Sequence, residues 1–263
     1  MATLEKKNDL SSSHWYTKDG VPAYTMKKAK GDGERATTLR DARKYNLLPS
    51  VTTLFGIMAK PGLDRWKLNK AIVAALNTPR DEDEPDERYY SRILERSYEE
   101  TSEAAELGTR VHDAIDAYFD GYPPPEDLAQ YVDPTIEYIK SLNLTDIRRE
   151  EVVVNNLEGY AGRVDLIARY GNSNIIIDFK TKKTKDGEKV TPFDFQPTQI
   201  AAYAMAAFGT LERCVGANIY ISTTEPGRIE KAVYSQEKLE LEYELLTNIA
   251  SIWRHLKNYD PRS

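Results

Sequence analysis

The stretch from Glu158 to Thr181 constrains this chain more than any other. Two apolar runs, Val164–Ala168 and Ile175–Ile177, lie either side of Gly171-Asn172. A Gly-first two-residue turn between β-branched runs predicts a tight antiparallel hairpin. With those two residues at the tip, Tyr170 faces Ser173, and counting outward sets Asp165 opposite Asp178. Cross-strand partners share a face, and so do residues two apart along one strand. Asp165, Asp178 and Lys180 therefore converge on one side, and a slip of one residue would separate them.

Two carboxylates and an ammonium on one patch have a specific chemical use. Hard divalent cations such as Mg²⁺ take carboxylate oxygens, keep several waters and bind phosphates. A bound ion polarises a phosphoryl oxygen and acidifies a water, while a nearby ammonium orients that water or stabilises developing charge. The competing account is an Asp165–Lys180 cross-strand ion pair with Asp178 merely ending a strand, since Asp-x-Lys alone recurs by chance. The position of Asp178 argues against it. Three isoleucines precede it, the mark of a buried strand, where an unpaired carboxylate is costly and a bound cation would compensate.

Gly162-x-x-Asp165, Asp178-Phe-Lys180-Thr181 and Gln199-x-x-x-Tyr203 together resemble the PD-(D/E)XK nuclease superfamily, and within it the RecB-like exonuclease branch. His112, in Leu-Gly-Thr-Arg-Val-His, matches the same branch. Pro49-Ser-Val-Thr-Thr is similar to a segment of phage-encoded members and of the mitochondrial genome maintenance exonuclease. The five elements come in the family's order between Pro49 and Tyr203. The resemblance implies that Asp165 and Asp178 ligate one or two Mg²⁺ or Mn²⁺ ions, with the Phe179 carbonyl and His112 completing the protein ligands. It implies that Lys180 positions the attacking water and that Glu150 helps organise the metal site. Gln199 and Tyr203 would meet the nucleotide beside the scissile phosphate, and Lys182 and Lys183 would hold the strand. Strand parity does not by itself choose between Glu150 and Glu151; the spacing to Tyr160-Ala-Gly162 favours Glu150. Ser50 and Thr52 read on their own as helix-capping residues, and the resemblance adds a contact to DNA phosphate. His112 on its own reads as a hydrogen-bonded core histidine.

Cys214 is the single cysteine, which excludes an internal disulfide, a cysteine zinc site and the four-cysteine iron–sulfur members of the branch. The first residues carry no apolar run for a signal peptide and no segment approaches a membrane span, so the expected location is the cytoplasm of a bacterial or phage-infected cell. A net charge of −6 looks wrong for a DNA enzyme, but its distribution is uneven. Asp81–Glu106 holds eleven acidic and three basic residues, whereas Lys18–Lys44 holds eight basic and four acidic, and Lys180–Lys189 is lysine-rich. A basic track with repulsive charge elsewhere suits an enzyme that must release nucleic acid.

In chain order, residues 1–13 are expected to be disordered, and His14–Tyr45 to form short strands and loops rather than a core element. Leu63–Leu76 reads as an amphipathic helix offering Trp66, Ile72, Val73 and Leu76 to a core. Helical patterns follow over Glu87–Phe119 and Glu126–Leu142, then a strand over Ile147–Asn155, the central hairpin, and a helix over Phe193–Phe208. Strands over Cys214–Ser222 and Arg228–Tyr234 precede a closing helix, Gln236–Tyr259, with Leu241, Leu245, Ile249, Ile252 and Leu256 inward. This order predicts an α/β fold: a central mixed β-sheet flanked by helices, restriction-endonuclease-like by the resemblance, with an added helical region over 63–142. Residues 1–48 are read as an N-terminal extension and 49–263 as one nuclease domain with its catalytic core at 147–259. The expected activity is metal-dependent DNA hydrolysis, from single-stranded or free ends. The alternatives are a structure-specific endonuclease and a catalytically silent nucleic-acid or partner-binding protein.

Overall fold

The computed structural model describes residues 14–262, so the reading of residues 1–13 lies outside the described residues. The chain divides into two compact units, Met1–Ile57 with Asp133–Ser263, and Met58–Val132. The first unit begins with β1 (Trp15–Tyr16), β2 (Thr25–Lys27), β3 (Glu34–Ala36), α1 (Leu39–Tyr45), β4 (Leu48–Pro49) and α2 (Val51–Leu54). The second unit holds α3 (Pro61–Asn77), α4 (Asp86–Phe119) and the start of α5 (Ala129–Ser141). The chain then returns to the first unit with β5 (Thr145–Asn155), β6 (Tyr160–Tyr170), β7 (Ser173–Lys182), α6 (Gln196–Phe208), β8 (Cys214–Ser222), β9 (Ile229–Tyr234) and α7 (Gln236–Lys257).

Strands β5 to β9 form one five-stranded sheet in sequence order. All neighbours run antiparallel except β7 and β8, which are parallel and joined by the α6 crossover. The expected mixed α/β architecture is therefore what the chain adopts. The β6–β7 turn falls at Gly171-Asn172 with Tyr170 opposite Ser173, and Gly171 supplies the positive φ (59°) that a tight hairpin turn demands. Pairing continues to Leu166 opposite Ile177 and stops there, whereas β7 stays paired with β8 as far as Lys182.

One sheet face packs α6 and α7. Ile200, Ala201, Ala202 and Ala204 of α6 are fully buried, as are Leu239, Leu246, Ile249, Ala250 and Trp253 of α7. Ser235 caps α7 by accepting from the Lys238 N–H, satisfying a donor the helix start leaves open. The N-terminal strands cover β5 and β6 elsewhere: Tyr16, Leu48 and Ala161 form a cluster that takes in Tyr24, Val152 and Val154.

Three expectations about burial are corrected. Trp15 and Tyr16 are core residues, the Trp15 ring lying 6.2 Å from that of Trp253. In α7 only Ile249 of the expected inward stripe is buried; Leu241, Leu245, Ile252 and Leu256 face solvent. A second apolar stripe at seven-residue steps, Leu239, Leu246 and Trp253, meets α6 and the N-terminal strand instead. In α3 no residue is buried, and Trp66, Ile72, Val73 and Leu76 are exposed.

Candidate active site

The end of the β6–β7 ladder makes the site. Beyond Leu166 and Ile177 the next residues in register are Asp165 and Asp178, and here a side chain replaces the missing ladder bond. The Asp165 Oδ2 accepts the Phe179 N–H at 2.7 Å. A strand edge that is not paired must satisfy its donors somehow, and a carboxylate doing so is fixed in place. Asp178 is 2% exposed. Its Oδ2 accepts from Lys180 Nζ at 2.6 Å and from Asn218 Nδ2 at 2.9 Å. The three residues expected to converge therefore do so.

Electrostatics follow from this packing. Burial pulls the Lys180 ammonium down, but Asp178 and then Asp165 outweigh it, and its pKa stands above the ordinary lysine value. It is a held cation and a donor. Tyr203 is pushed well above the usual phenol range by burial first and by Asp178 and Asp165 as well. Its hydroxyl accepts from Gln199 Nε2 at 2.7 Å, so the expected α6 pair is joined and borders the carboxylates. The glycine of Gly162-x-x-Asp165 has a local reason: a Cβ there would stand 2.4 Å from Tyr203 Cε1. Only glycine lets this ring lie flush on β6.

Glu150 falls opposite Asp165 by count, since Arg149 pairs with Leu166 and Glu151 with Val164. Its backbone has a positive φ of 48°, a local distortion of β5, and its carboxylate lies 3.7 Å from Arg163. Glu151 pairs instead with Arg148 at 2.6 Å. Ser50 caps α2, accepting from the Thr53 N–H at 3.0 Å, and forms a parallel bridge with Ala161 of β6. Thr52 is exposed, and its hydroxyl lies 3.0 Å from that of Ser50. Lys182 donates to the Thr191 carbonyl at 2.9 Å and sits over the Phe193 ring at 4.1 Å, while Lys183 is exposed. His112 is half-buried on α4, in the other unit.

Two residues of the site carried no readable sequence signal. Asn218, on β8 beside Asp178 in register, is fully buried and accepts from the Tyr234 hydroxyl at 2.8 Å while donating to Asp178. Tyr16 is the second. It belongs to a strand more than a hundred residues upstream; burial first and the Tyr24 hydroxyl next raise its pKa, with lesser effects from Arg163 and Glu150. Only the tertiary fold brings Asn218 to Asp178 and Tyr16 within the influence of Glu150.

Among the described residues no cluster of three or more His, Cys, Asp or Glu side chains stands in a ligating arrangement. Two carboxylates at a strand end, with the adjacent main-chain carbonyl, are nonetheless a hard-oxygen donor set. That suits an ion that keeps most of its waters.

Residues 139–262 match the PD-(D/E)XK nuclease superfamily. Members of the superfamily generally use divalent metal ions, in keeping with the donor set at Asp165 and Asp178. No curated protein matches the sequence. Among solved structures the chain is similar to one described as SSO0001, at 17% identity with a TM-score of 0.35, covering 74% of this chain and 86% of that one. It is also similar to a candidate exonuclease from Eubacterium rectale, at 14% identity with a TM-score of 0.41, covering 73% of this chain and 84% of the other. Among the described residues no helix is long and apolar enough to cross a membrane.

Proposed function

We propose that this chain is a metal-dependent deoxyribonuclease of the RecB-like branch that degrades DNA from ends, with single-stranded ends as its substrate. The observation that carries the reading is the meeting of Asp165, Asp178 and Lys180 where the β6–β7 ladder ends. Asp165 and Asp178 would hold Mg²⁺ or Mn²⁺, one ion or two, with the Phe179 carbonyl as a further ligand and Glu150 as an organising carboxylate. When bound, the ion supplies Lewis-acid polarisation of the phosphoryl group and a more acidic water.

The chain's own residues do the rest. Lys180, 2.6 Å from Asp178, would position the attacking water or donate to the charge developing on phosphate. Gln199 and Tyr203 orient the nucleotide at the scissile phosphate. Lys182 and Lys183 hold the backbone, and the exposed Thr52 hydroxyl, set by the buried Ser50 cap, is offered to phosphate.

Labelled linear single strands and freshly ligated single-stranded circles, incubated with Mg²⁺ or Mn²⁺ and with chelator, test this. The expected outcome is progressive loss of the linear strand, survival of the circle, and no cleavage in chelator. Equal loss of both substrates would favour an endonuclease. Binding without cleavage under any divalent ion would favour the catalytically silent alternative. RNA strands of the same sequence test the choice of DNA.

A further inference from the structure

We infer that Phe193 is a stacking platform for an unpaired base of the substrate strand, a few nucleotides from the scissile phosphate. The inference rests on the nuclease reading above and deepens it by giving a physical reason for unpaired nucleotides.

Asp178, Lys180 and Lys182 follow each other at two-residue steps on β7, so they leave the strand on one side. At about 3.3 Å per residue, Lys182 stands about 13 Å along the strand from Asp178. The Lys182 ammonium lies 4.1 Å from the centroid of the Phe193 ring. Carboxylates, ammonium groups and aromatic ring thus form one line leading away from the candidate metal ligands. An ammonium beside an aromatic ring serves a polynucleotide well, because phosphate takes the cation and a base takes the ring.

Phe193 is held in place and yet open. Its N–H donates to Gln196 Oε1 at 2.9 Å, and the same oxygen accepts from the Tyr220 hydroxyl at 2.7 Å, tying the segment to the first turn of α6 and to β8. Even so, 63% of Phe193 is exposed. A lone exposed apolar side chain needs no explanation. An anchored one, carrying a cation and in line with the carboxylates, is arranged for a ligand.

The surroundings select which part of a nucleotide it takes. Phe193, Phe195, Pro197 and Leu245 line a hollow of about 320 Å³ together with Asp194 and Glu242. Asp194 adds negative charge that disfavours phosphate in the hollow and favours a neutral base, while the Glu242 carboxylate is already matched by Lys238 and accepts from Thr198. A base inside a duplex has both faces covered by its neighbours, whereas an unpaired base offers one to the ring. Stacking of this kind tolerates any sequence, since every base has a π-face.

The test compares the full-length wild type with Phe193→Ala, Phe193→Leu and Phe193→Trp. Fluorescence anisotropy in chelator measures binding of a labelled oligothymidine 12-mer and of a hairpin-closed duplex. Phe193→Ala is expected to weaken oligothymidine binding roughly 5- to 100-fold, the range for loss of one base–aromatic stack, and to leave duplex binding unchanged. Phe193→Trp should restore binding to within about 3-fold of wild type, its added indole emission quenched as the oligonucleotide binds. Phe193→Leu keeps apolar bulk without a π-face and should resemble the alanine variant. Should Phe193→Ala lose its fold, the leucine and tryptophan variants, both of which fill the space, decide the matter. Equal affinities for those two, or wild-type affinity in Phe193→Ala, would overturn the stacking role while leaving a cleaving wild type intact as a nuclease. A wild type that neither binds oligothymidine nor cleaves DNA with Mg²⁺ or Mn²⁺ would bring down the nuclease reading and this inference with it.

Discussion

Strand β7 has two halves that do different work. From Ser173 to Ile177 it is bonded to β6 on one side and β8 on the other, and Ile175, Ile176 and Ile177 are buried. From Asp178 to Lys182 it is bonded to β8 alone. The closed half spends its main-chain groups on the ladder and its side chains on the core. In the open half main-chain groups and polar side chains must find each other: Phe179 donates to Asp165, and Asp178 takes Lys180 and Asn218. The polar network is concentrated where the sheet stops being closed, because there a carboxylate can be buried, satisfied and still near an open strand edge.

One substitution in each half of β7 separates the two kinds of work. Asp178→Asn or Lys180→Ala should lower cleavage per folded molecule by 100-fold or more, consistent with about 3–4 kcal/mol for a group acting on transition-state charge, with some loss of stability because each breaks the buried pair. Ile176→Ala should cost about 2–5 kcal/mol of stability while cleavage per folded molecule at low temperature stays near wild type. Denaturant unfolding and single-turnover cleavage on the same preparations check both. Near-wild-type rates from Asp178→Asn would refute the division of labour.

A smaller break lies at Gly162, where β6 approaches the site under the Tyr203 ring. Gly162→Ala puts a methyl group into a 2.4 Å gap, so ring or strand must shift. Overpacking of this sort costs about 1–3 kcal/mol. Adding Tyr203→Leu should recover the melting temperature without recovering cleavage, since the hydroxyl beside the carboxylates is gone. If the double variant regains both, Tyr203 serves packing only.

Smaller still is the expected effect at Asn218. Asn218→Leu keeps the volume and removes the N–H that turns Asp178. It should raise the Mg²⁺ or Mn²⁺ concentration for half-saturation, read by calorimetry without substrate, by roughly 10-fold, the scale of losing a partner that orients a metal ligand. Tyr234→Phe, one hydrogen bond further away, should have a weaker effect in the same direction. An unchanged metal titration for Asn218→Leu would limit Asn218 to satisfying a buried carboxylate.

The hairpin was readable because its signals are local. A Gly-Asn tip between two apolar runs set the register, and with it the approach of Asp165 to Asp178. The strands and the helix over Phe193–Phe208 were likewise read from local runs and periodicity. What escaped depended on partners remote in sequence. Helix α7 carries two apolar stripes of similar quality, and the choice between them is made by α6 and by Trp15, which nothing near α7 announces. Helix α3 has an apolar composition that promises burial, yet Leu68 and Leu76 remain in solvent. Asn218 looks like any polar residue in a strand until the parallel β7–β8 register puts it beside Asp178.

The smallest expected effect concerns the lysine-rich segment that leaves the open half of β7. Arg228 holds it from outside the site, donating to the Lys185 carbonyl at 3.1 Å and to the Glu188 carbonyl at 2.7 Å while paired with Glu225 and Glu230. Glu225 also accepts from Thr184, whose hydroxyl lies 2.6 Å from that of Ser222. Arg228 is only partly exposed and its charge is matched by Glu225 and Glu230, so its loss should lower the melting temperature only modestly. Its main effect should be on order. In Arg228→Ala, trypsin should cut the 182–189 segment several-fold faster, and KM for DNA should rise roughly 2- to 5-fold with kcat unchanged, because the lysines would no longer be pre-positioned for the strand. A fall in kcat at constant KM would mean that the clamp acts on Lys180 through the end of β7, joining the segment to the chemistry. Wild-type proteolysis and KM together would show that the segment keeps its shape without Arg228.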